Sequence, residues 1–115
     1  MLDVSVSDEP FAPGDTVPGQ IVVDRDVSGR ELLVALRYIE TSPDFKECAV
    51  EVVSTPLAQG EVPAGTTLEF ALDLPTDALP GFRSEHASLH WEVDAWVNKR
   101  GLDPHTRLEL DVRLP

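Results

Sequence analysis

The chain has 115 residues, 42% of them apolar, and a formal net charge of −12 from twenty-one acidic and nine basic side chains; this length suits one domain, residues 1–115, which buries roughly two-thirds of its unfolded surface without staples. The acidity argues against nucleic acid, which needs clustered Lys and Arg against phosphate, and against anionic membrane surfaces, and it favours solubility. No apolar run reaches the ~20 residues of a membrane helix, and the N-terminus MLDVSVSDEP lacks the basic and apolar regions of a secretory signal, so a cytoplasmic protein without membrane insertion is expected.

Period-two alternation dominates the chain and helical period is nearly absent. Leu2, Val4 and Val6 form a first short strand that ends before Pro10. In TVPGQIVVD, Val17, Gly19, Ile21 and Val23 share a face, while Pro18 donates no ladder hydrogen bond and places that part of the strand at an edge or bulge. A turn around Ser28 and Gly29 leads into RELLVALRYIE, where Glu31 to Leu36 are good helix formers. Strand is preferred there, because Val34, Tyr38 and Ile39 alternate and no cap flanks the run. Apolar residues on both faces mark it as a central strand. CAVEVVST is the fourth run, and Pro56 to Gly65 is mostly connection, with room for a short strand near Leu57. TTLEFALDL turns Leu68, Phe70, Leu72 and Leu74 inward; ASLHWEVDAWVN does so with Leu89, Trp91, Val93, Ala95 and Val97; TRLELDVRL does so with Leu108, Leu110, Val112 and Leu114. About seven strands with polar outer faces predict an all-β, immunoglobulin-like sandwich of two antiparallel sheets, although a closed barrel fits the same pattern.

The order of these segments carries a resemblance. Phe11, Pro13, Gly14, Asp15, Val17, Gly19 and Ile21, followed by Gly65, Phe70, Leu74, Pro75, Leu79, Pro80 and Trp91, resemble one arrestin-type half domain over nearly the whole chain. The roles this resemblance implies are structural. Gly14 supplies a backbone angle closed to other residues, and Gly19 clears space for a close approach. Pro75 ends a strand, and Pro80 stiffens the link to the next sheet. Receptor-binding arrestins resemble two such halves locked by a charged core and an extended tail. This chain matches one half and has no PPxY motif, so the resemblance implies a binding or scaffolding module and leaves receptor signalling unsupported. Its single-domain relatives include bacterial, sporulation-control-like proteins, and seven Arg against two Lys fits a GC-rich genome.

Chemistry is sparse. His86 and His90 lie four apart, which on a strand spans about 13 Å, too far for two ligands of one zinc. His90, Glu92 and Asp94 share the outer face of one strand at ~7 Å intervals, the pattern of a solvated sheet face. Cys48, the lone cysteine, is expected as a small buried hydrophobe in a strand, not a nucleophile. No Gly-rich phosphate loop, nucleophile elbow or triad spacing occurs, so neither catalysis nor a cofactor or metal is expected. Trp96 stands out: with Trp91 inward, alternation turns Trp96 outward beside His90, Glu92 and Asp94, either as an interface anchor or as a ring covered by a loop or a long neighbouring side chain. The expected function is a non-catalytic protein-interaction or scaffolding adaptor, working through a sheet edge or outer face, with a protein partner or a second copy. The alternative is a small-ligand or carbohydrate-binding sandwich, which seven aromatics in all serve poorly.

Overall fold

Alternation along the chain becomes two antiparallel sheets in the computed structural model, which describes residues 2–98 and 105–114, with Arg30 described by its backbone alone. Nine strands occur among the described residues: β1 Leu2–Val6, β2 Thr16–Val23, β3 Val27–Ser42, β4 Phe45–Val53, β5 Ala58–Val62, β6 Thr67–Asp73, β7 Phe82–Arg83, β8 Ser88–Asn98 and β9 His105–Leu110. One sheet has the order β1-β2-β6. The other is built on β3 and β8, with β4 and β5 sharing the far side of β3 and with β7 and β9 sharing the far side of β8. The sheets pack face to face as a β-sandwich, and no ladder joins them into a barrel among the described residues.

The inward sets meet between the sheets. Val17, Ile21, Val23, Phe70 and Leu72 come from the smaller sheet, and Leu32, Val34, Leu36, Tyr38, Trp91, Val93, Ala95 and Val97 from the larger. Burying each large apolar side chain stabilises by roughly 1.5–3 kcal/mol, which is why alternation fixes which face turns inward. Gly19 is opposite Phe70, and a methyl group at Gly19 would overlap that ring, so the close approach is between a glycine and an aromatic. Gly14 has φ +85°, an angle other residues rarely adopt, and donates its N–H to the Pro75 carbonyl at 3.0 Å.

Four details depart from the pattern reading or refine it. The segment around Ser28 and Gly29 is strand, not turn, because Val27, Ser28 and Gly29 pair with β5 before the register shifts at Glu31. The two-residue strand β7 had no signal of its own. β2 is central in its sheet, yet β1 stops opposite Gly19, so Pro18 pairs only with β6 and its missing N–H lies on a locally free edge. Cys48 is exposed on β4, not buried, because β4 is the outer strand of the larger sheet and every residue in it but Val52 is exposed.

The segment LPTDALPGF closes one end of the sandwich. The Leu79 carbonyl accepts from Trp91 Nε1 at 2.8 Å, and the Pro80 carbonyl accepts from the Tyr38 hydroxyl at 3.0 Å. These two rings lie 5.1 Å apart in the core, and a buried hydroxyl and indole N–H must find partners. Burial, with Glu40 as the lesser cause, pushes the Tyr38 phenol above its ordinary value, so it stays protonated and donates.

Candidate functional site

β8 pairs with β3 and β9 in a register that gathers charged side chains on the outer face of the larger sheet. Asp94 is opposite Ala35 and Arg107, Glu92 is opposite Arg37 and Glu109, and Trp96 is opposite Leu33 and His105. Asp94 is 0% exposed. Its carboxylate accepts from Arg37 Nη1, lies 2.9 Å from His105 Nδ1 and has Arg107 Nε at 3.4 Å. Arg37, whose side chain is only 18% exposed, also donates from Nε to Glu51 at 2.7 Å. Its guanidinium lies 4.9 Å from the Trp96 ring centre, and Trp96 also stacks on His105, 16° from parallel. Glu92 is buried beside His90, with His90 Nε2 at 3.5 Å.

The four residues picked from the sequence, Trp96, His90, Glu92 and Asp94, therefore do lie together on the outward face of β8. The solvated row expected there is corrected: Glu92 and Asp94 are buried under the long side chains of β3 and β9, and Trp96 is half-buried between Arg37 and His105. Such a cluster has its charges paired with one another and offers no open carboxylate to a substrate. Among the described residues, no three His, Cys, Asp or Glu are grouped so as to hold a metal ion, and no helix is long and apolar enough to cross a membrane.

Exposed apolar surface gathers elsewhere. On β4, Phe45 is 50%, Val50 39% and Val53 45% exposed. Ser54 donates its N–H to the Val34 carbonyl at 2.9 Å. Counting from that pair through the alternation of an antiparallel ladder, Val52, Val50, Glu47 and Phe45 direct their backbone groups to β3. Val53, Glu51, Cys48 and Lys46 direct theirs away from it, along an edge where β4 is the last strand of its sheet. Ala49 is the extra residue of a bulge, since Tyr38 faces Val50 while Ile39 faces Cys48. Sequence reasoning did not single out this strand. The available signal was the spread of Lys46, Glu47 and Glu51 over both faces of a run that also holds Val50, Val52 and Val53, the composition of a strand covered on neither side.

A second open feature is a cleft of about 550 Å³ where β7 and the end of β9 diverge along β8. Phe82, Arg83, His90, Glu109 and Leu114 line it, and Arg83 bridges it by an ion pair to Glu109. His90 Nδ1 is buried there with no hydrogen-bond partner among the described residues.

No protein-family model matches the sequence, and the search of curated proteins finds no similar sequence. Among solved structures, the chain is similar to Spo0M, a sporulation control protein from Bacillus subtilis, with a TM-score of 0.59 at 16% identity over 99% of this chain and 49% of that one. The chain thus spans about half the length of that protein, and what the two share is a β-sandwich fold.

Proposed function

We propose that this chain is a non-catalytic protein-interaction module of arrestin-like type, one domain over residues 1–115, that engages its partner through the free edge of β4. The observation that carries the reading is β4 itself: nine residues at the margin of the larger sheet, exposed apart from Val52, with Lys46, Cys48, Glu51 and Val53 presenting backbone groups to any incoming strand. Unpaired donors and acceptors at an edge are a template for strand addition, in which backbone bonds supply affinity and side chains supply selectivity. Phe45, Val50 and Val53 provide the apolar contacts. The likeness in fold to a sporulation control protein is in keeping with a regulatory binding role.

The closed state of the Asp94 cluster supports the same reading, because its carboxylates and cations are consumed by one another. The test is affinity capture from a native extract with the wild-type domain and with Val53→Pro, which withholds an edge N–H and is tolerated at edges. The reading expects a specific protein on the wild type that is lost from the folded variant. Equal capture by both, or binding to a sugar array with no protein captured, would refute it.

A further inference from the structure

We infer that the strand which the β4 edge accepts is β4 of a second copy of this chain, paired antiparallel about a two-fold axis at Cys48. The inference rests on β4 being the interaction edge. It follows from the residues that edge presents. The bulge at Ala49 resets the alternation, so that Lys46, Cys48, Glu51 and Val53 point to the outer face, matching Thr41, Ile39, Arg37 and Ala35 on β3, while Phe45, Glu47, Val50 and Val52 point to the other face. With the axis at Cys48, each copy's Lys46 faces Glu51 of the other, Phe45 faces Val52, and Glu47 faces Val50.

Neighbouring registers are worse. An axis at Glu47 or at Glu51 sets that carboxylate against its own copy, and like charges directly opposite are destabilising. An axis at Val50 sets Lys46 against Val53 and leaves no ion pair. The Cys48 register is the one that joins the only cation of β4 to a carboxylate, twice by symmetry. The bulge and the charges of this edge, devices that discourage indiscriminate strand pairing, here select one alignment.

One pair of edge strands buries well under the roughly 1,200 Å² of a stable complex. The net charge of −12 on each copy adds repulsion. The dimer is therefore weak, favoured by concentration and by salt of about 0.15 M, where charges more than ~8 Å apart are screened. The axis brings the two Cys48 thiols face to face, which makes the alignment directly readable. With diamide, two Cys48 thiols give up two protons and two electrons, the diamide becomes the hydrazine, and an Sγ–Sγ bond forms.

The experiment measures mass by light scattering over a concentration series and the rate of diamide cross-linking. Wild type is expected to show mass rising with concentration and a disulfide dimer forming quickly. Lys46→Glu, which sets two pairs of like charges opposite each other, is expected to slow cross-linking by about tenfold, and Lys46→Glu with Glu51→Lys is expected to restore it. Cys48→Ser should keep the mass shift and lose the cross-link. Cross-linking of Lys46→Glu at the wild-type rate, or a wild-type mass that stays monomeric with no cross-link, overturns the inference. If that happens while Val53→Pro still abolishes partner capture, self-pairing fails and the interaction edge stands. If Val53→Pro captures as wild type does, the edge itself is refuted.

Discussion

Replacing Asp94 with alanine removes a fully buried carboxylate from beneath three cationic or potentially cationic side chains, Arg37, His105 and Arg107. Breaking a buried ion pair from one side costs 3–5 kcal/mol when the remaining charge is stranded. Here the lower end, about 3 kcal/mol, applies, because Arg37 keeps Glu51 and Arg107 reaches solvent. Asp94→Asn preserves the shape and one acceptor and should cost about 1–2 kcal/mol, in line with weakening a hydrogen bond to a charged group. Glu51→Gln touches only the more exposed end of Arg37 and should cost less than about 1 kcal/mol. Urea unfolding followed by tryptophan fluorescence reads all three, with an unchanged slope confirming that the midpoint reports stability. A domain of this size has about 5–15 kcal/mol of stability, so the alanine variant should remain folded with a clearly lower midpoint. If Asp94→Ala costs no more than Glu51→Gln, the outer face of β8 is not held by this cluster, and the assignment of these residues to structure fails.

Three further outcomes are expected. Tyr38→Phe leaves the Pro80 carbonyl without its donor and should lower stability by about 1 kcal/mol, seen in the same urea assay; no change would mean the hydroxyl does not tie the LPTDALPGF segment to the core. Gly19→Ala forces the Phe70 ring aside, an overpacking that costs about 1–3 kcal/mol, and Gly19→Ala with Phe70→Leu should recover part of the loss. Desolvation of its sulfur, and then Glu51, push the Cys48 thiol above its ordinary value, so at about pH 8 less of it is thiolate than in free cysteine. Cys48 should therefore react more slowly with Ellman's reagent than free cysteine does; equal or faster reaction contradicts the assignment.

Strands whose one face is buried were legible from their own residues. In β6, Phe70 and Leu72 alternate with Glu69, Ala71 and Asp73, and the structure buries the first set and exposes the second. β8 was legible in the same way for its inner face, and alternation correctly turned Trp96 away from the core. What alternation along β8 could not tell was that Asp94 would be buried. Its cover comes from Arg37 on β3 and from His105 and Arg107 on β9, and cross-strand register is a property of three strands together. The clue was Arg37, a cation inside the otherwise apolar run from Leu32 to Ile39 of a central strand, which requires an acidic neighbour. β5 was obscured by its own sequence, AQGEV, whose Gly60 and few β-formers are held extended by pairing with β3. Cys48 misled because a free cysteine is usually buried; the position of β4 at the margin of the sheet, not residue type, decides its exposure.

The most direct test of the β4 edge as the interaction surface is backbone amide hydrogen exchange, measured on the dilute domain and on the domain bound to its captured partner or concentrated enough to self-pair. Fast exchange is expected at Lys46, Cys48, Glu51 and Val53 in the dilute state, with protection of Lys46, Cys48 and Glu51 on association and β8 around Trp96 unchanged. Protection confined to the Trp96 face, or to the cleft beside Phe82 and His90, with β4 exchanging as freely as before, would contradict it.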